Sequence, residues 1–246
     1  MTERSAAEPR RNALGQPIGR ELPGWQARSL PPRVVMTGRF CRLEPLDPAR
    51  HTSQLYAANA LDTEGRNWTY LPLGPYEDEA SYLKWVEQAA AGKDPMFFAI
   101  IDPGSNRAVG VASYMRMEPA HGVIEVGSIN YSPLLQRKAA ATEAMYIMMK
   151  NVFEMGYRRY EWKCDSLNAP SRAAARRLGF RYEGTFRQAW VYKGRNRDTA
   201  WFSITDSEWP ALRAAHERWL APENFDAAGR QRVSLSSLTE PLLEKA

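Results

Sequence analysis

The chain is poor in the residues that staple or metallate small domains. Its 246 residues include two cysteines, Cys41 and Cys164, and three histidines, His51, His121 and His216. Two thiols cannot build a disulfide framework. Both lie in strand-like runs, where a free cysteine behaves as a small buried hydrophobe. The histidines stand too far apart for a ligand spacing, so no metal is expected. No apolar run approaches the ~18 residues that cross a bilayer. Met1 to Arg11 are charged and lack the apolar segment of a secretory leader, so the expected location is cytoplasmic, with no membrane partner.

An excess of one charge is nearly absent too. Thirty-three basic residues face 28 acidic ones, a formal net charge of +5. Much of the surplus sits in the N-terminal stretch and in the pairs Arg137-Lys138, Arg158-Arg159 and Arg176-Arg177. With no recognition motif beside it, so small a surplus argues against nucleic acid as a partner. Apolar material, by contrast, is plentiful. Hydrophobic residues make up 44% of the chain and eight are Trp, enough for one substantial core.

Residues 1–36 are rich in Arg, Pro and Gly and read as an extended, partly disordered arm. Trp25 is out of place in such an arm and is expected to dock on the domain or on a second subunit. Residues 37–220 form the domain, and 221–246 read as a loose polar tail. Within the domain, Phe40–Leu46 reads as a strand. Asp47-Pro48 starts a helix, with Asp47 as N-cap and Pro48 at the first helical position. An aromatic loop covers 62–75, and a second helix covers Glu77–Ala91. Strands follow at Phe97–Ile101, Ala108–Met117 and Val123–Tyr131, then a long helix over Gln136–Met155 that ends at Gly156. A strand at Tyr160–Cys164, a helix at Pro170–Leu178, strands at Phe180–Tyr192 and Thr199–Ile204 and a helix at Asp206–Leu220 complete the order. This is an α/β (α+β) domain with one central sheet.

Two segments carry the chemistry. In Val126–Ala144, VGSINYSPLLQRKAAATEA, a strand runs through a short loop into a helix. Gln136, Arg137, Lys138 and the small residues Ala139, Ala140 and Ala141 stand where that helix begins. Unpaired N–H groups and a partial positive charge suit such a place to phosphate, and small side chains let a ligand reach the backbone. Thr142 adds a hydroxyl. An ordinary alanine-rich helix start is the alternative. The second segment, Trp162–Phe180, WKCDSLNAPSRAAARRLGF, holds Asn168, Ser171 and a short helix ending in Gly179-Phe180.

Together these segments resemble the GNAT superfamily of N-acetyltransferases, most closely its ribosomal-protein-alanine acetyltransferase-like branch. Gln136 to Ala141 matches that family's pyrophosphate loop, with Ala139 where glycine is usual. Asn168, Ser171, Gly179 and Phe180 match its Asn-x-x-Ser element and Gly-Phe ending. The resemblance runs from about Gly38 to Trp209. The spacing from Glu125 to Gln136 is about one residue longer than is common, which a bulge in the strand would absorb.

The resemblance implies a mostly antiparallel twisted sheet flanked by helices, with strands splayed at the acetyl-CoA site. It implies acetyl-CoA as co-substrate and direct attack of an amine on the thioester. Ile129 to Tyr131 would polarise the carbonyl through a backbone N–H. Gln136, Arg137, Lys138, Ala139, Ala141 and Thr142 would hold phosphate, and Asn168 the pantetheine arm unless it is only a turn residue. Ser171 is the candidate general acid, with helix capping as its plain alternative. Glu125 is the candidate general base, acting through water, and the alternative is a surface carboxylate paired with a neighbouring base. Trp68, Tyr70 and Trp190 are expected around the amine. A small amine is slightly preferred as acceptor over a protein N-terminus or lysine. A non-catalytic acyl-CoA-binding module is a further alternative, and a homodimer is expected.

Overall fold

The structure is a computed structural model that describes residues 10–244. A short exposed ribbon, β1 (Arg10–Arg11) and β2 (Pro17–Ile18), precedes the domain. The domain then runs β3 (Met36–Thr37), β4 (Arg42–Pro45), α1 (Pro48–Asn59), α2 (Glu79–Ala91), β5 (Met96–Asp102), β6 (Arg107–Glu118) and β7 (Val123–Tyr131). It continues with α3 (Ala139–Glu154), β8 (Arg159–Asp165), α4 (Ala169–Arg177), β9 (Arg181–Tyr192), β10 (Arg195–Thr205), α5 (Trp209–Leu220) and α6 (Leu235–Leu243).

The main sheet has eight strands in the order β3-β4-β5-β6-β7-β8-β10-β9. Every neighbouring pair is antiparallel except β7 and β8. That parallel pairing requires a crossover, which α3 supplies. It starts at Val123↔Arg159 and stops at Val126↔Trp162, although β7 continues to Tyr131 and β8 to Asp165. Beyond Val126 the two strands part, which gives the splayed, mostly antiparallel sheet expected of the fold.

The continuous apolar run of β5 follows from burial on both faces. Phe98 and Ile100 enter the core beneath α3, with Tyr114, Ile124, Met148 and Met149. Phe97, Ala99 and Ile101 alternate to the other face and meet Leu55 of α1 and Tyr82 and Val86 of α2. Each Phe, Ile, Leu, Val or Met among them contributes about 1.5–3 kcal/mol on full burial. The Asp47 carboxylate caps α1 by accepting from Arg50 N, and Asp78 and Ser81 form a capping box at α2.

The structure differs from the sequence reading in three places. The long helix begins at Ala139, not Gln136, because 132–138 fold into turns pinned by Ser132 and buried Leu135. The stretch beyond Pro222 is not a loose tail up to Glu244. Ser234 caps α6, Leu235 and Thr239 are buried, and the helix packs on α4 and α5. From Trp25 onward the arm is held to the domain. Trp25 Nε1 donates to Ala120 O (2.9 Å), Arg28 lies over its ring, and Tyr157 donates to Ser29 O. Trp25 therefore docks on its own chain. Met1–Pro9 of the arm and Lys245–Ala246 lie outside the described residues.

Candidate active site

Where β7 leaves β8, the structure opens a cavity of about 480 Å³. Its walls include Trp68, Tyr70, Tyr76 and Trp85 from the α1–α2 side, Glu125 and Ile129 from β7, and Trp162 and Lys163 from β8. Asn168 and Ser171 at the start of α4, and Trp190 of β9, complete it. Seven of the sequence-predicted residues thus converge: Trp68, Tyr70, Glu125, Ile129, Asn168, Ser171 and Trp190.

The strand wall is shaped by a bulge. Val111 pairs with Asn130 but Ser113 pairs with Gly127, so β7 holds one residue more than β6. Ser128 takes a left-handed φ of 49° at that point. The bulge accounts for the long Glu125–Gln136 spacing and turns Ile129 to the cavity.

Glu125 is not a surface carboxylate. It is buried (4% exposed), with Oε2 2.9 Å from Lys163 Nζ and 3.5 Å from Arg116 Nη1. Burial pushes its carboxyl above the usual carboxylate range, while Lys163, and then Arg116, pull it back. A carboxylate so placed is a stronger proton acceptor than one in water.

Ser171 does not cap its helix. Asn168 does, accepting from Ser171 N (3.1 Å). The Ser171 hydroxyl accepts from Trp162 Nε1 (3.0 Å) and stands beside the Cys164 thiol, with one proton of its own to donate. Asp165 is occupied elsewhere, accepting from Leu167 N and the Tyr192 hydroxyl.

The phosphate-loop residues form a second group outside the cavity wall. Arg137 adopts φ 60° and Lys138 is the N-cap of α3. Among the described residues, the N–H groups of Arg137, Ala139 and Ala140 have no acceptor, whereas Ala141 N donates to Lys138 O. Gln136 is tied to Asn67 Oδ1 and Tyr131 O through its amide. Thr142 is buried and accepts from Arg177 Nη2 (2.8 Å) instead of facing the mouth. Tyr131 is also turned inward, its hydroxyl against Ala141 O. The free N–H groups, the small side chains and Arg137 and Lys138, unpaired among the described residues, fit a pyrophosphate at this turn. Among the described residues no three His, Cys, Asp or Glu side chains converge on a metal position.

The aromatic loop is fixed from below. Lys193 Nζ donates to Trp68 O (2.7 Å) and Gly74 O (2.6 Å), Arg195 to Thr69 O, and Tyr70 to Leu167 O. Trp68 belongs to the core as well as to the cavity, edge-on to Tyr76 at 5.5 Å. Gly74 has φ 70°, and a β-carbon there would strike the Trp68 ring. Gly74→Ala is therefore expected to cost about 1–3 kcal/mol in thermal or denaturant unfolding. It should also raise KM for the amine, since the ring must move. An unchanged Tm would contradict the contact.

Sequence reading passed over Lys163, Glu161 and Arg116. In β8 the signal was there: charged Arg159, Glu161, Lys163 and Asp165 share one face and apolar Tyr160, Trp162 and Cys164 the other.

Comparison with known proteins agrees with this geometry. The family model described as Acetyltransferase (GNAT) domain matches residues 41–181. No curated protein matches the chain. Among solved structures, a GCN5-related N-acetyltransferase from Brucella melitensis is 49% identical, with TM-score 0.87 over 89% of this chain and 100% of that one. A GNAT-family protein from Chromobacterium violaceum is 44% identical, with TM-score 0.75 over 80% of this chain and 98% of its own. An acetyl transferase from Salmonella typhimurium that modifies the N-terminal serine of ribosomal protein L7/L12 is 22% identical, with TM-score 0.59 over 68% and 96%. At that distance the likeness is one of fold.

Proposed function

The chain belongs to the GNAT acetyltransferase family, and on that premise we propose that its acceptor is a small amine with an apolar or aromatic body. The enzyme is an acetyl-CoA-dependent N-acetyltransferase: acetyl-CoA supplies an activated acetyl thioester, and the acetyl group passes to an amine.

The observation that carries the small-amine reading is the cavity itself. Its size of about 480 Å³, shared between the acetyl-pantetheine end and the acceptor, leaves room for a small ligand. Its apolar wall is Trp68, Tyr70, Tyr76, Trp85 and Trp190, and of its two buried carboxylates, Asp165 is taken up by Leu167 N and the Tyr192 hydroxyl, which leaves Glu125 for the ligand. Aromatic rings hold an apolar body and stabilise a nearby ammonium, while the carboxylate orients the nitrogen.

The residues divide the work as follows. The free N–H groups of Arg137, Ala139 and Ala140 bind the pyrophosphate, with Arg137 and Lys138 adding charge. Asn168, while capping α4, flanks the pantetheine arm. Glu125 takes the proton from the amine, directly or through one water. The β7 backbone at Ile129, past the last pairing with β8, faces the carbonyl oxygen where negative charge develops. Ser171 offers its hydroxyl proton to the departing sulfur.

A second reading, a peptide acceptor, has one observation in its favour. Edge strand β9 leaves Phe186, Trp190 and Val191 exposed, and Trp190 is part of the cavity wall. An extended peptide could lie along that edge.

Thermal unfolding with acetyl-CoA, CoA and ATP, followed by thiol release over amines and short peptides, tests both readings. At one hundred times Kd, acetyl-CoA and CoA should each stabilise by about 2.7 kcal/mol, and ATP should not. Turnover with aromatic amines and none with peptides supports the small-amine reading. The reverse pattern overturns it. No shift with either CoA ligand removes the phosphate assignment.

A further inference from the structure

Glu125 does not face the cavity alone. The parallel register places it beside Glu161 on the neighbouring strand. Both side chains are buried, and two like charges directly opposite each other are unfavourable. Lys163 lies two residues further along β8 and so leaves the same face. Its Nζ is 2.9 Å from Glu125 Oε2 and 2.7 Å from Glu161 Oε2, and its side chain is 5% exposed. From β10, which pairs Trp201 with Lys163, the Trp201 indole closes the remaining side with its centroid 3.8 Å from Nζ. The charged groups around this core are Arg116 from β6, beside Glu125, and Arg159 from β8, 2.6 Å from Glu161 Oε1. Glu183 of β9 pairs with Arg159 and accepts from Ser203 of β10.

A buried ion pair is weak evidence of stabilisation, since apolar residues of similar volume serve as well or better. The arrangement therefore calls for a role other than folding, and it borders the cavity. We propose that Lys163 is a positioning residue for acetyl transfer: clamped between Glu161 and Trp201, its ammonium fixes the Glu125 carboxylate at the cavity wall as acceptor of the amine proton. The inference rests on Glu125 as the base. No bond other than N–H and O–H changes through it, because the proton moves from the amine to a Glu125 oxygen while Lys163 keeps its charge.

The electrostatics give opposite signs for two variants. Without Lys163, Arg116 alone opposes burial and Glu161, and Glu125 keeps its proton to higher pH. Without the Glu161 charge, Lys163 serves Glu125 alone and the proton is released at lower pH.

The test is the pH profile of kcat/KM for wild type, Glu125→Gln, Lys163→Met and Glu161→Gln, with folding and CoA binding followed by thermal unfolding. Lys163→Met should lose tenfold or more at about pH 6 and recover to within about threefold of wild type at about pH 9. Glu161→Gln should move the acid limb the other way. A Lys163→Met rate lowered equally at every pH would mark a merely structural role and overturn the proposal. So would a Glu161→Gln limb that stays in place or rises, and this second variant decides the matter should Lys163→Met fail to fold. Glu125→Gln separates the two layers. If it keeps the wild-type rate and limb, the base assignment falls and takes this inference with it. If it loses both while Lys163→Met keeps the limb, only the inference falls.

Discussion

Glu125→Gln should lower kcat/KM by about 10²–10⁴, the range that a positioned acid or base contributes. The substitution preserves shape but removes the acceptor for the proton that the amine must lose. The loss should fall on kcat with little change in Kd for acetyl-CoA, because the free N–H groups of Arg137, Ala139 and Ala140 lie on a separate turn. Glu125 has its carboxyl pushed up by burial and held down by Lys163, so the wild-type rate should fall as pH drops and the carboxylate takes up its proton. That acid limb should vanish in the Gln variant. Ser171→Ala should cost less, since water can protonate a thiolate of ordinary basicity. Single-turnover acetyl transfer at several pH values measures all of this. A Glu125→Gln enzyme with undiminished turnover would exclude this carboxylate as the base. A wild type that binds acetyl-CoA but releases no thiol with any amine would favour a binding module.

How much of this was legible in the sequence depended on whether a signal was local. The cap of α1, the apolar run of β5 and the Gly-Phe ending of α4 are local, and each element appears within a few residues of its expected place. The start of α3 is not local. Alanine-rich sequence after Gln136 reads as helix, but Ser132 Oγ bonds Val109 O, Leu135 is buried, and the chain must turn at Arg137 with φ 60° before the helix can begin. Tertiary contacts override propensity there. α6 had a local signal, Ser234 ahead of Leu235, Leu238 and Leu242 at helical spacing, but the polar residues around it masked its apolar stripe. The site followed the same division. Asn168 and Ser171 could be matched position by position, and Glu125 was placed by its strand alone. Lys163 and Glu161 matter only because β8 runs parallel to β7 in one particular register, and no motif encodes that register.

Glu143→Ala should produce the largest loss of stability, because one carboxylate organises a turn remote in sequence. Glu143 Oε1 accepts from Arg39 N (2.8 Å), and Oε2 accepts from Phe40 N (2.5 Å) and Cys41 N (2.8 Å). Gly38 lies so close that a β-carbon there would strike the same carboxylate. The turn entering β4 is thus folded around a side chain from the second turn of α3. Removing it leaves the buried Cys41 N–H without a partner, while the more exposed Arg39 and Phe40 N–H groups fall back on water. Hydrogen bonds to a charged acceptor are worth more than neutral ones, so the cost should be about 2–4 kcal/mol. For a chain of this size that lowers Tm by roughly 5–15 °C. Glu143→Gln, which keeps one acceptor oxygen, should fall between the variant and wild type. The effect should reach function too: Glu143 and the Ala139–Ala140 turn share the first part of α3, so a displaced anchor should raise KM for acetyl-CoA while leaving the amine KM nearly alone. Thermal unfolding and KM values for both substrates measure the two effects. Equal increases in both KM values would mean that the whole domain has loosened, and that Glu143 holds the fold without specifically setting the phosphate turn.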